Sequence, residues 1–426
     1  MLTRPASRMR TISIVAFAAL CPDIAIAQPV SFQGLGLFPG LDRSSAGRIS
    51  ANGRAIAGTS FSWTSAQYSQ GYIWRAETGW LGIGLPPQGQ AGDIFALSAD
   101  GKAAPGFSHL APSSWTYGFR WTEAGGFQLM PGLPTSLSMI SIDISADGST
   151  VVGLASSGWI GGQSYYHATR WTQSGGTQDL GTLIGPAAFS YANAVNADGS
   201  VIVGKSHGGS GAFRWTAAGG MQEVGGLPGS TFTSAEAVSA DGSVVAGWSG
   251  GALVTRPFRW TSAGRTQDLG GLPGFEFMVT SAMSGDGSAI VGSAMLTSAP
   301  YTSLAFLWTV PTGVVDLNDY LPTLGIDLTG WELTSATGAD ADARTIAGVG
   351  KHEWAPGQIR YESWVVRFDR MCTADCNADW KLSVADFGCF QSNYVRGDPY
   401  ADCTGDSVLT IADFGCFQAL YVAGCP

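Results

Sequence analysis

The sequence predicts an all-β body, a seven-bladed β-propeller, followed by a small α-helical, disulfide-rich domain. Three observations predict it. A turn signal and a tryptophan recur seven times, the body opens on the strand that its last repeat lacks, and six of seven cysteines crowd into the final 55 residues.

The chain begins with Arg4, Arg8 and Arg10, an apolar run from Ile12 to Leu20, and Ala25-Ile26-Ala27 before Gln28. A charged start, a short apolar core and a small-residue cleavage site predict a secretory signal peptide over 1–27. That run is too short to span a bilayer, and no later stretch approaches spanning length. The expected location is extracellular or at the cell surface. Cleavage would remove three of 22 basic and one of 32 acidic residues, leaving a net charge near −12. Phosphate recognition needs a basic footprint, so nucleic acid is excluded as a partner.

The repeat is clearest at SADGSVVAGW (239–248) and RPFRW (256–260). The turn signal stands at Asn52-Gly53, Asp100-Gly101, Asp147-Gly148, Asp198-Gly199, Asp241-Gly242 and Asp286-Gly287, with Asp342-Ala343 as a degraded seventh copy. Trp74, Trp121, Trp171, Trp215, Trp260, Trp308 and Trp364 each follow one turn by 17 to 24 residues. A period of 43 to 56 residues marks a repeat architecture. Each unit resolves into four strands: A (SAEAVS), a two-residue Asp-Gly hairpin turn, B (SVVAG), C (PFRWT) and D (TQDLGGL). Four antiparallel strands of this length describe a propeller blade, and the capping units of a solenoid are missing. The mature body opens with SFQGLGLFPG, a D-type strand, and finishes at YESWVVRF, a C-type strand. The N-terminal strand is therefore expected to complete the last blade and leave no open sheet edge. The body spans 28–370 and the second domain 371–426. The repeated tryptophans are expected between neighbouring sheets.

Taken together, A-D-G-S-x-x-x-G, F-x-W and G-x-x-x-L-G-x-L resemble the HAF-type extracellular repeat family of bacteria over about 29–369, with 316–338 similar to its closing unit. That resemblance implies export and a repeated β architecture, but no activity.

Long B–C and D–A connections share one rim, where function tends to reside. The B–C segments hold His109, His167, His207 and His352, with Trp63, Trp115, Trp159, Trp248, Trp354, Tyr117, Tyr165 and Tyr301. Of these, Trp115, Tyr117, Trp159, Tyr165, His167, Trp248, His352 and Trp354 form the candidate ligand rim. Aromatic, weakly charged loops suit sugar rings; the competing role is cover for the blade edges. Asp93, Asp143, Glu236 and Glu332 lie near the expected channel and are of the type glycoside hydrolysis requires. They occupy different offsets, so no pair is assigned. The expectation is a non-catalytic binding or scaffold propeller, with polysaccharide as the ligand class. An extracellular propeller glycoside hydrolase or lyase is the competing expectation.

Residues 375–386 (DCNADWKLSVAD) and 402–413 (DCTGDSVLTIAD) are copies offset by 27, each followed by F-G-C-F-Q-x-x-Y-V. Asp375, Asn377, Asp379, Ser383 and Asp386 sit at EF-hand positions 1, 3, 5, 9 and 12, with the Lys381 carbonyl at 7. Asp402, Thr404, Asp406, Thr410, Asp413 and the Val408 carbonyl repeat the set. Two Ca²⁺ sites are expected, the second weaker because Thr404 is neutral. Trp380 and Ser407 replace the turn glycine, which adds strain. Aspartate at position 12 before an apolar helix resembles type I dockerin, and AGCP with the paired F-G-C-F-Q segments resembles GC-type, dockerin-like modules. This implies attachment to the cell surface or an extracellular assembly. Val384-Ala385 and Ile411-Ala412 replace the Ser/Thr pair typical of cohesin recognition, so a cohesin partner is not expected. Cys372, Cys376, Cys389, Cys403, Cys416 and Cys425 are expected in disulfides. The internal duplication favours Cys389–Cys416, then Cys372–Cys425 and Cys376–Cys403, among the many connectivities six cysteines allow.

Overall fold

A computed structural model describes residues 30–62, 69–109, 115–134, 136–160, 163–206, 211–296, 302–368, 376, 384–397, 401, 403–404 and 408–423. The expected signal peptide lies outside them. The described chain is mostly β, in four-stranded antiparallel sheets. Sheet one spans 43–82, sheet two 93–129, sheet three 139–179 and sheet four 190–223. Sheets five (232–268) and six (277–316) are joined by a single parallel pairing of Thr255 with Phe277. The seventh takes three strands from 331–368 and its fourth from Val30–Gly36, which pairs antiparallel with Gln358–Phe368. The N-terminal strand therefore completes the last sheet, as its D-type sequence predicts.

Apolar clusters stitch each sheet to the next. Phe119 and Trp121 of sheet two pack on Ala57 and Ile73 of sheet one; Phe213 and Trp215 of sheet four pack on Val152 and Ala168 of sheet three. The cycle returns on itself where Ala347 and Val365 of sheet seven meet Ile56, Tyr72 and Trp74 of sheet one. Six of the seven repeated tryptophans are buried, and Trp260 is partly buried against its cluster. Their inter-sheet role follows.

The A–B turns carry a second linkage. The N–H of Ala99 bonds the carbonyl of Ala146, and Ala146 to Ala197, Ala197 to Ala240, Ala240 to Gly285 and Gly285 to Asp340 continue the belt at 2.7–3.3 Å. Ala341 N–H to Ala51 carbonyl, 3.1 Å, joins the last sheet to the first. Within a turn, the Ser239 hydroxyl donates to Asp241 (2.6 Å) and accepts from Val244 N–H (2.9 Å), while Gly242 adopts a φ of 74°. Ser239 and the N–H of Ser243 hold the Asp241 carboxyl down to about 2. In sheet seven Asp340 takes the serine position, and Ala343 holds a φ of 61° where the other sheets have glycine.

Helix α1 (Leu317–Thr323), capped by Asp316, stands between sheets six and seven, buries Leu317 and Leu321, and was not anticipated. C-terminal to the sheets, helices α2 (Val384–Arg396) and α3 (Ile411–Ala423) follow the two duplicated segments. Phe390 stacks on Phe417 at 4.0 Å between ring centroids. The disulfides correct the expected pairing. Cys376 bonds Cys389 and Cys403 bonds Cys416, so each loop is tied to its own helix, and among the described residues no disulfide links the duplicated halves. The duplication fixed equivalence, but each loop's own fold sets which cysteines come close: Cα–Cα is 5.8 Å in both bridges. Cys372 and Cys425 lie outside the described residues.

Candidate functional site

The first strands of the sheets face a common axis. Along them, partly exposed residues alternate with buried ones, as in Ile140 and Ile142, Tyr191 and Asn193, or Val279 and Ser281. In six of the seven sheets the first strand carries a bulge; the short first strand of sheet two, Asp93–Ile94, pairs without one. The register skips Ile142, Asn193, Glu236 and Ser281 in sheets three to six, and Gly47-Arg48 in sheet one. A bulge re-aims the extra side chain, here toward the axis. It also pushes the preceding carbonyl over strand B. A Cβ at Gly204 or Gly247 would collide with the Tyr191 or Ser234 carbonyl, which accounts for the last glycine of the repeat motif.

Arg48 spans the axis. Its guanidinium donates to the Asn193 carbonyl (3.3 Å) and the Glu236 carbonyl (3.0 Å), and lies 3.7 Å from the Asp143 carboxylate. One side chain of sheet one thus braces sheets three, four and five. Asp143, buried, also accepts the Val195 N–H at 3.0 Å. Asn193 donates to the Ala235 carbonyl at 3.0 Å. Glu236 accepts the Ser234 hydroxyl (2.6 Å) and the Trp248 indole N–H (3.1 Å), both on Oε1. Burial pushes the Glu236 carboxyl above the usual range, partly offset by Ser234, Lys205, Trp248 and Arg48. Lys205, opposite Tyr191 in register, holds its ammonium 4.9 Å from the Tyr191 ring centre.

The four candidate carboxylates divide. The Asp143 carboxylate lies 3.7 Å from Arg48, whereas Glu236 meets Arg48 through its main-chain carbonyl and turns its carboxyl to Ser234 and Trp248. Glu332 is engaged by Lys351 at 2.9 Å. Asp93, in sheet two, is raised mainly by burial, against hydrogen bonds from Ser69 and Thr59. Sequence reasoning missed Arg48, Tyr191, Asn193 and Lys205. A signal was present: Asn193 and Glu236 both stand five residues before their turn aspartates, at the bulge.

The rim candidates do not act as one surface. His167 is a buried strand residue with Nδ1 2.8 Å from Asp179 and Nε2 3.1 Å from the Pro186 carbonyl. The Asp179 hydrogen bond raises its pKa. His352 stacks on Trp331 at 4.3 Å and bonds buried Glu362 at 2.9 Å. Trp248 belongs to the axis. Tyr117 donates to the Pro87 carbonyl, and Tyr165 packs on Phe189. Trp115 is partly exposed, and Trp354 is 53% exposed at the end of a long hairpin. Trp159 is described in its main chain only; Trp63, His207 and Tyr301 lie outside the described residues.

Of the calcium-loop residues, Asp375, Asn377, Asp379, Lys381, Ser383, Asp402 and Asp406 lie outside the described residues. Asp386 and Asp413, at position 12 of each loop, are fully buried. Asp413 gathers the N–H (3.0 Å) and hydroxyl (2.9 Å) of Thr404 and the N–H of Thr410 (2.7 Å). Both Asp413 oxygens thus accept hydrogen bonds from the loop that precedes the helix, and among the described residues no three His, Cys, Asp or Glu side chains cluster as metal ligands would.

No protein-family profile and no curated protein matches the chain. Among solved structures, an oligogalacturonate lyase in complex with manganese is similar at 12% identity, covering 80% of this chain and 96% of that one, with TM-score 0.49. A prolyl endopeptidase is similar at 13% identity over 79% of this chain and 47% of that one, TM-score 0.47. TolB from Acinetobacter baumannii follows at 14% identity over 64% and 61%, TM-score 0.41. At these scores no residue role and no activity passes from them to this chain.

Proposed function

We propose that the seven sheets are the blades of one propeller and that the protein is an exported, non-catalytic polysaccharide-binding scaffold. The duplicated loops would hold Ca²⁺ and anchor it to a cell surface or extracellular assembly. One observation carries the non-catalytic reading. The carboxylates best placed for acid–base work are already committed to the fold: Asp143 by Arg48 and the Val195 N–H, Glu236 by Ser234 and Trp248. General acid–base catalysis needs a group free to exchange its proton with a bound substrate. The mixture of aromatic and hydrogen-bonding groups around the axis instead suits recognition of a sugar. In the second domain, the buried Asp386 and Asp413 support the metal reading.

A glycan array on the full-length secreted protein tests this, followed by mass spectrometry of any ligand after long incubation. Binding with the ligand intact is expected. Shortened products that vanish in Asp143→Asn or Glu236→Gln would establish the glycoside hydrolase or lyase alternative. Absence of any glycan binding would refute the reading.

A further inference from the structure

We propose that the cleft where sheet seven meets sheet one binds a phosphate or sulfate group, free or carried as the monoester of a small molecule. The site lies among the A–B turns, at the opposite ends of the strands from the B–C connections, and does not depend on the polysaccharide reading.

Four other seams are closed by arginines. Arg75, Arg120, Arg214 and Arg259 each stand next to the repeated tryptophan of their sheet. Each reaches the following sheet and donates to the carbonyl of its turn glycine, Gly101, Gly148, Gly242 or Gly287, at 2.6–3.4 Å. At the seam that closes the cycle, Trp364 is flanked by Ser363 and Val365. The Ser363 hydroxyl is too short to reach the turn and meets the Tyr72 hydroxyl at 3.0 Å, while the Val365 side chain has no donor. A cleft of about 440 Å³ lies at this seam, with the turn glycine Gly53 in its wall.

Three guanidinium groups line the cleft from both sides: Arg54 from the turn of sheet one, Arg344 from the turn of sheet seven, and Arg367 from its strand Gln358–Phe368. Two carboxyls line it too, and each is engaged within sheet seven. Asp342 pairs with Arg344 at 2.9 Å, and Asp340 accepts hydrogen bonds from Thr345. Arg54 is held loosely, 3.9 Å from Glu77, with its side chain 74% exposed. A guanidinium carries five N–H donors in a planar fork, more than one carboxylate uses, and the fork matches the oxygens of phosphate or sulfate. Three such groups against two carboxyls leave a local positive excess in a chain of 32 acidic and 22 basic residues. That excess draws an anion to this point of an otherwise acidic protein. The volume falls in the usual range of small-molecule sites, ~300–1,000 Å³, and Ala51, Ala341 and Phe368 supply apolar wall for the body of an ester. A bound oxyanion joins Arg54 of the first sheet to Arg344 and Arg367 of the last, and so stabilises the closure by mass action.

The test is titration calorimetry of the full-length protein with inorganic phosphate, inorganic sulfate and glucose 6-phosphate at constant ionic strength. Saturable binding of at least one is expected. Arg54→Gln and Arg367→Gln should each weaken it ~10-fold, the loss of one charge-assisted hydrogen bond. Arg265→Gln, which removes an equal charge from the exposed start of the last strand of sheet five, should leave it unchanged. Tighter binding of glucose 6-phosphate than of inorganic phosphate would support the site with an esterified ligand, and equal binding would support it with the free ion. No saturable binding of any of the three would overturn the proposal and leave the polysaccharide reading in place. Unchanged affinity in Arg54→Gln, whose exposed side chain the fold does not need, would also overturn it. So would a loss in Arg265→Gln as large as in Arg54→Gln, which would trace the effect to net charge.

Discussion

Asp340 sits at the seam where sheet seven meets sheet one, in the slot that Ser50, Ser98, Ser145, Ser239 and Ser284 fill elsewhere. Those hydroxyls both donate and accept; an ionised carboxylate only accepts. Asp340 is 5% exposed, one of its oxygens has no hydrogen-bond partner, and Asp342 adds a like charge two residues on. Arg344 on the same turn, Arg367 from the neighbouring strand and Arg54 from sheet one line the adjoining cleft of about 440 Å³. The net result, dominated by burial, raises the carboxyl from an ordinary 3.8 to about 6. An acid held more tightly protonated in the fold stabilises it below the unfolded pKa and loses that contribution as pH rises through the folded value. Two pKa units correspond to about 3 kcal/mol, lost between roughly pH 4 and pH 6. Asp340→Ser removes the titration and restores the repeat's own turn chemistry. Denaturant unfolding of wild type and variant should nearly coincide at pH 4, diverge up to pH 6, and hold a constant gap of about 3 kcal/mol in the variant's favour above pH 7. A gap independent of pH, or a variant less stable at pH 8, would refute the reasoning.

Three further outcomes are expected. His167 faces an acceptor at both ring nitrogens, so it must be protonated to donate to both, and its contribution is present below pH 6.5 and lost as pH rises through its raised value. Imidazole nitrogen shifts in NMR should show it charged at pH 6.5, and a neutral ring there contradicts the geometry. Deleting residues 30–36 bares the edge of strand Gln358–Phe368 and should cause concentration-dependent association by light scattering; a monomeric, equally stable product would show that the strand does not close the ring. Excess Ca²⁺ at about a hundred times its Kd should stabilise the helical domain by about 2.7 kcal/mol, and Asp413→Ala should abolish most of that, read by calorimetry of the full chain in Ca²⁺ and in chelator.

The four-stranded units were legible because hairpin turns and strand alternation are local, and Asp241-Gly242 states both register and direction. The missing D strand at the C-terminus was legible for the same reason. Helix α1 was not: Leu317 and Leu321 bury against sheet six and seven residues far along the chain, and Pro322 inside it works against a helix reading. Arg48 was invisible as a brace, since its partners lie 145 and 188 residues away. Asp143 and Glu236 stand at offsets that differ by one, which argued against convergence. The structure keeps that difference: Asp143 follows the bulge residue Ile142 and accepts the Val195 N–H, whereas Glu236 is itself the bulge residue and bonds Ser234 and Trp248. The disulfides misled because duplication says which cysteines are equivalent, while bonding depends on which are adjacent.

The belt of N–H to carbonyl bonds through the A–B turns is made by atoms that every residue except proline carries. Side chains can therefore drift at those turns while the bond survives, and the seventh copy shows how far: Asp340 and Ala343 have replaced serine and glycine, yet Ala341 still reaches Ala51. A ring fastened in this way tolerates divergence of its repeats, because a copy can lose its signature without losing its place. Selection is then free to use the least constrained positions, the bulge residues that face the axis, differently in each sheet. Units of one repeated pattern can so surround a centre with no symmetry in its chemistry, where Arg48 meets the Asn193 and Glu236 carbonyls from three repeats.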